Sequence, residues 1–280
     1  MKTTDAAIEA IGLGVVRENT HILIDISLAI PAGSVVGLVG RNGAGKSTLL
    51  RCLAGLMAPD SGASFLLGCP SANLTDAVRE RLGYVAQTPD LFDWMEAEEL
   101  IATIGRAYPR WDAQRAKALA ARLDLRTDRR VSELSGGDQQ KLSVVLALAH
   151  DPDLLLLDEP VASLDPLTRR EFMRALFGDD SEAERERTIV ISSHILTDLE
   201  RVVSHVAFMR NGFLQLFEPW DTLLEHFRLQ APGARGIPHE AVVSINHRSG
   251  DRVADMRLAA PGADAGSALT LDDLFVELNA

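Results

Sequence analysis

The chain has almost no cysteine. Only Cys52 and Cys69 occur in 280 residues, and they form no C-x-x-C pair. That argues against a disulfide framework and against a thiolate metal site. Long apolar runs are missing too: nothing approaches the ~20 residues a membrane-spanning helix needs. The opening decapeptide, MKTTDAAIEA, has no apolar segment of the kind a secretory signal requires. Positive charge is short, with a formal net charge of −12, which argues against broad nucleic-acid binding. Together these absences predict a soluble, cytoplasmic chain whose membrane role would run through a partner. Apolar residues, by contrast, make up 46% of the chain, enough to bury a substantial core in one large domain or a domain plus an appendage.

Apolar runs punctuated by glycine set the expected order of elements. Residues 7–30 hold two apolar-rich stretches on either side of RENT and read as an antiparallel pair. SVVGLV (34–39), LGYVAQ (82–87), DLLLLDEP (153–160) and TIVISSH (188–194) read as buried strands. A helix is expected from about Lys46, and residues 94–150 read as helical. Within them Asp112 is placed to cap a helix that carries Ala116, Leu119, Ala120 and Leu123 on one face. Asp165 and Pro166 open another helix, with Gly178 just past its end. Asn211-Gly212 signals a type I′ hairpin turn. Interleaved strands and helices make the class α/β. The Gly- and Pro-rich stretch LQAPGARGIPHE (229–240) reads as a linker. Two short strands at about 241–246 and 252–258, a loop and a capped terminal helix then form a small C-terminal α+β appendage over 241–280. The charged run DDSEAERER (179–187) reads as a solvated loop.

Chemistry concentrates at GLVGRNGAGKSTLLRCLAG (37–55). Gly40, Arg41, Asn42, Gly43, Ala44, Gly45, Lys46 and Ser47 fit G-x-x-x-x-G-K-[ST]. Glycines let the backbone turn so that several N–H groups point at one anion, and the following helix adds the positive end of its dipole. Lys46 can reach the β- and γ-phosphates, and the Ser47 hydroxyl can ligate Mg²⁺. At the end of the run LLLLD, a buried Asp158 is costly unless a cation meets it, so it is assigned to Mg²⁺ through water. Glu159, one residue on, is placed to polarise an attacking water.

LSGGDQQK (134–141) completes a set. Taken in order, the glycine loop, Gln87, LSGG, LLLLDEP, ASLD and SSH resemble the motifs of the ATP-binding subunits of ABC transporters, over about residues 5–225. The resemblance implies an α/β P-loop NTPase: a RecA-like core with an N-terminal antiparallel β subdomain and an α-helical subdomain at about 88–150, the whole ATP-binding domain spanning 1–228. It implies ATP and Mg²⁺ as ligands, ATP being held by residues Gly40 to Ser47 and by Thr48. Gln87 would touch Mg²⁺ and the attacking water and join the core to the helical subdomain. Ser135, Gly136 and Gly137 would meet the γ-phosphate of ATP bound to the opposite subunit. Asp165 would sit at the subunit contact, and His194 would hydrogen-bond the γ-phosphate. Implied partners are a second ABC ATP-binding subunit, as homodimer or heterodimer, and transmembrane permease subunits that hold the chain at the inner face of the cell membrane; nucleic acid is not among them.

Two positions depart from the pattern. The residue after LSGG is Asp138 where the family most often has Gln, which puts an acid near a phosphate; Gln139 and Gln140 follow and are candidates to compensate. No Tyr, Phe or Trp precedes Phe65, so the aromatic ring that usually stacks on adenine is missing. Its place falls at about Arg17, whose guanidinium, or else His21, would stack instead. AYPRWDAQRAKALAARLDL followed by RRVSELSGG resembles bacterial ABC-2-type exporters of the YtrB-like group. The alternatives are a non-transport ABC ATPase, such as a cluster-assembly ATPase, and an ATP-binding switch without catalysis; an intact Glu159 argues against the switch. After Gln87, Leu91, Phe92, Trp94 and Met95 form an apolar cluster suited to a membrane partner or to a core, with Trp111 assigned to the core.

Overall fold

A computed structural model of the chain describes residues 6–162, 164–177, 187–193, 202–246, 249–270, 273, 274, 276 and 277. Two long strands open it, β1 (Ala6–Arg17) and β2 (Thr20–Pro31), paired antiparallel from Ala6 opposite Pro31 to Arg17 opposite Thr20. The turn needs only Glu18 and Asn19, both at positive φ, as a two-residue hairpin loop with this twist requires. A short strand, β3 (Val35–Val39), leads through the glycine loop into α1 (Lys46–Leu53). Two strands that the sequence pattern does not signal follow, β4 (Ser61–Leu66) and β5 (Cys69–Pro70); they complete an antiparallel sheet in the order β2-β1-β4-β5.

After the one-turn α2 (Asp76–Arg79) comes β6 (Leu82–Val85). The region expected to be helical resolves into α3 (Ala97–Gly105), α4 (Ala113–Arg122) and α5 (Gly136–Leu148), with loops between them. Asp112 caps α4, accepting the Gln114 and Arg115 N–H groups at 2.8 and 3.0 Å. Then come β7 (Leu154–Asp158), α6 (Pro166–Phe177), β8 (Thr188–Ser193), β9 (His205–Arg210) and β10 (Phe213–Pro219). The turn joining β9 to β10 has Asn211 and Gly212 both at positive φ, as the sequence predicts. These strands form the central sheet in the order β10-β9-β3-β8-β7-β6, parallel except for β10.

The four leucines of β7 show why that strand reads as an unbroken apolar run. Leu154 and Leu156 pack with α1 and the antiparallel sheet, while Leu155 and Leu157 pack with α5 and the other helices. A strand with both faces covered has no polar side to alternate.

The C-terminal boundary differs from expectation. After α7 (Trp220–His226), the strand β11 (Phe227–Gln230) takes the first two residues of the predicted linker and runs across the boundary expected at 228. It pairs with β13 (Arg252–Asp255) and β14 (Ser267–Ala268), and β12 (Val242–Ile245) adds at the far edge. Residues 256–258, expected as strand, form a 3₁₀ turn. Phe227, Val253, Leu269 and Leu274 share one apolar cluster with Val206 and Leu216 of the central sheet, so the appendage packs onto the main core. Arg257 fastens it, donating to Glu218 of β10 at 2.9 Å while its guanidinium lies 5.5 Å from the Phe227 ring centre.

Candidate active site

The parallel strands β3, β7 and β8 end side by side, and their C-terminal ends carry the glycine loop, Asp158-Glu159 and Ser192-Ser193. Two glycines are forced in the loop. A side chain at Gly40 would press into the Met209 carbonyl, and Gly45, the N-cap of α1, lies at φ +102 with the Ile22 carbonyl 2.8 Å from where a Cβ would stand. The turn of the β9–β10 hairpin buttresses the loop from outside. The Gly212 N–H donates to the Ala44 carbonyl at 3.2 Å, and the Gly212 carbonyl accepts from Ile24 at 2.8 Å.

A cavity of about 380 Å³ opens on the loop, lined by Asn42 to Thr48 together with Ile22, Gln87 and Glu159. That volume is within the range of small-ligand sites. Lys46 is 6% exposed; its ammonium donates to the carbonyls of Gly40 (2.7 Å) and Arg41 (3.3 Å) and lies 3.6 Å from Glu159 Oε1. Burial pushes the Lys46 pKa down, and the nearby Glu159 and Asp158 pull it back only in part. Gln87 stands two residues past β6 at the cavity wall, which joins it to the loop and Glu159. The adjacent Ala86 carbonyl accepts from the amide of Gln140, buried on α5, at 3.2 Å, so the linker at Gln87 is tied to the helical subdomain.

Asp158 is fully buried. One carboxylate oxygen accepts from the Ser192 hydroxyl at 2.7 Å, while the other is buried with no hydrogen-bond partner among the described residues. An orphaned carboxylate oxygen next to a phosphate cradle calls for a cation or a cation's water. Asp158 and the Ser47 hydroxyl therefore fit Mg²⁺, whose contribution when bound is to neutralise charge on β- and γ-phosphate oxygens.

Other predicted residues lie apart from this cavity. Ser135 caps α5 as its hydroxyl oxygen accepts the Asp138 N–H at 3.1 Å, with Gly136 and Gly137 as the first helical residues; none of the three lines the cavity of its own chain. The Ser135 hydroxyl donates to the Asp138 carboxylate at 2.8 Å, and Lys141 donates to its other oxygen at 2.9 Å. The two glutamines that follow bond within the chain: the Gln139 amide donates to the Val131 and Leu134 carbonyls and Gln140 to Ala86. Asp165 caps α6, accepting from the N–H groups of Leu167 and Thr168 at 3.0 and 3.2 Å. Arg41 lies on the outer side of the loop, facing a second small cavity with Arg210 and Asn211. Arg17 is turned away, its guanidinium half exposed and paired with Asp60 at 3.1 Å; on β2 the cavity is faced by the aliphatic Ile22 instead. His194 lies outside the described residues.

Comparison with known proteins agrees with this geometry. A family model described as "ABC transporter" matches residues 23–162. The ABC transporter ATP-binding protein YtrB of Bacillus subtilis is 32% identical over 210 residues, 75% of this chain and 71% of that protein. The phosphonates import ATP-binding protein PhnC 1 of Rhodopseudomonas palustris is 37% identical over 214 residues, 70% of this chain and 75% of that protein. A solved structure of an ATP-binding subunit of an ABC transporter superposes with a TM-score of 0.69 at 28% identity, covering 78% of this chain and 91% of that one. A glycine loop, an acidic strand end and Gln87 meeting on one cavity, in a fold shared with these proteins, place the chain in the ABC transporter family as one of its ATP-binding ATPase domains.

Proposed function

We propose that the chain binds ATP with Mg²⁺ in the glycine-loop cavity, hydrolyses it with Glu159 as the water-polarising base, and powers a membrane ABC transporter of the export type. The observation that carries the reading is the meeting of Lys46, Glu159 and Gln87 on one cavity with an orphaned Asp158 oxygen beside it. Lys46 would exchange its bonds to the loop carbonyls for phosphate oxygens. Glu159 would then be freed from the ammonium 3.6 Å away to take a proton from the attacking water. In this reading two chains close face to face around two ATP, with Ser135 to Gly137 and Asp165 of each facing the other chain's nucleotide, and His194 approaching the γ-phosphate of its own. Arg17 would have to leave Asp60 to reach adenine, which makes Ile22 the better base platform.

The membrane partner is assigned to a groove of about 640 Å³ between the end of α1, β6 and the helical subdomain, with Leu91, Ile104 and Tyr108 on its walls. Among the described residues no helix is long and apolar enough to cross a membrane, so anchoring at the inner membrane face falls to the permease. The export direction rests on the likeness of residues 107–137 to ABC-2-type systems; the phosphonate importer among the relatives shows that likeness to this family alone does not set direction. Glu159→Gln tests the core of the reading. It is expected to keep ATP binding, lower turnover by at least about 100-fold and accumulate an ATP-bound dimer on gel filtration. Near-normal hydrolysis would remove Glu159 from its role.

A further inference from the structure

Ser192 is the penultimate residue of β8, and its register partner on the neighbouring parallel strand is Asp158. Both are fully buried. The Ser192 hydroxyl makes two bonds: it donates to Asp158 Oδ1 at 2.7 Å and accepts the Glu159 backbone N–H at 2.8 Å. Glu159 sits at φ +47, a left-handed conformation that strains a non-glycine residue. A strand that simply continued would send the Glu159 side chain to the opposite face from Asp158. The left-handed step ends the strand instead, and both acids reach the same corner, with Glu159 facing Lys46.

We propose that Ser192 is a positioning residue for ATP hydrolysis: one hydroxyl sets both acids, holding the backbone of Glu159 in its left-handed turn and occupying one Asp158 oxygen so that only the other is open to Mg²⁺. The proposal rests on the reading that Glu159 is the base. Amide, hydroxyl and carboxylate form a chain of bonds polarised in one direction, and each bond strengthens the next. Removing the hydroxyl would leave a buried N–H and a buried carboxylate oxygen unpaired at once. Asp158 would then have two open oxygens, and Glu159 would lose the bond that opposes its backbone strain.

Threonine and valine differ at this site only by hydroxyl against methyl, so Ser192→Thr and Ser192→Val isolate the bonds from the volume. Ser192→Thr is expected to hold kcat within about threefold of the parent, and Ser192→Val to lower it about 30- to 100-fold with KM for ATP moved less than about threefold. A second readout needs no turnover: the Mg²⁺ concentration giving half of the ATP-induced rise in Tm should increase about tenfold in Ser192→Val and hold in Ser192→Thr. Merely structural packing would change the Tm of the free protein and leave both the kcat–KM split and the Mg²⁺ requirement alone. Equal kcat and equal Mg²⁺ requirement in the two variants overturn the proposal. If the added methyl prevents folding in both, Ser192→Ala takes their place, and parental values in that variant overturn it equally. Glu159→Gln is measured in parallel. If that chain still hydrolyses ATP, the base reading fails on its own, while the Tm readout on Ser192 still decides whether the hydroxyl sets the Mg²⁺ site.

Discussion

The Ser135 hydroxyl enters any encounter with a phosphate already engaged. Its proton points at Asp138, and Lys141 balances the acid from the next turn. Burial alone would raise the Asp138 pKa, but the bonds from Lys141 and Ser135 outweigh it and hold the carboxyl below the usual carboxylate range. A lowered folded-state pKa gives stability that is present above the unfolded value and lost as pH falls through the folded one, so at neutral pH this clasp stays closed. To donate to a γ-phosphate, Ser135 must break a charge-assisted bond and approach a second negative group. Asp138→Gln removes the charge and is expected to lower the ATP concentration for half-maximal hydrolysis about three- to tenfold, as steady-state kinetics would read. Lys141→Met should move it the opposite way, because the acid would then stand uncompensated beside the proposed phosphate contact. A rise in that concentration for Asp138→Gln would show the clasp to be a helix cap alone.

The segment from Gln87 to α3 is the one proposed to meet the membrane partner. The sequence leaves Phe92 and Trp94 balanced between core and surface, and the structure separates that cluster. Met95 packs into the core and Leu91 lines the groove wall. Phe92 and Trp94 stand outside, 45% and 69% exposed, with ring centroids 5.1 Å apart. Trp111 packs under Gly105, as expected of a core residue. A tilted aromatic pair left in water beside a groove has the character of an interface anchor. Phe92→Ala with Trp94→Ala should leave Tm within about 2 °C and ATP binding intact, while co-purification with the permease drops at least tenfold. An unfolded double variant, or normal assembly, would end that assignment. The same contrast explains which elements the sequence announces. β7 is legible because both faces are buried, and α4 because Asp112 and a one-sided apolar stripe mark it. β4 is not, since SGASFL carries one glycine, two serines and no alternation and is held by pairing with β1. β11 hides in a Gly- and Pro-rich neighbourhood because its partners β13 and β14 lie more than twenty residues on. The loop, Asp158 and Glu159 stand out by residue type and spacing, and Gln87 only through the motif order that the family resemblance implies. Ser192 does not: a serine one residue short of a strand end becomes informative only once the register sets it opposite Asp158.

The arrangement of the whole molecule separates the glycine loop from the Ser135 segment proposed to meet phosphate. The loop cavity is built by β3, α1 and the end of β7, while Ser135 and its glycines open α5 and take no part in lining it. In the proposed reading, a chain that holds one half-site of each kind would be completed by a second copy turned to face it, a closed two-fold arrangement in which each nucleotide would touch both chains. Lys46→Ala removes the loop half and Ser135→Arg the other, so each variant alone should fall below about 5% of parental turnover. In a mixture, random pairing makes about half of the dimers mixed, and each mixed dimer holds one complete site and one doubly damaged site. Activity should therefore reappear on mixing, at up to about a quarter of the parental rate if the sites fire independently, and near zero if both must close together. Dilution should reduce it, because assembly depends on concentration. The net charge of −12 on each copy opposes that assembly, and moderate salt should favour it by screening. A mixture of the two variants whose specific activity stays flat across a hundredfold dilution would mean that one chain completes its own site.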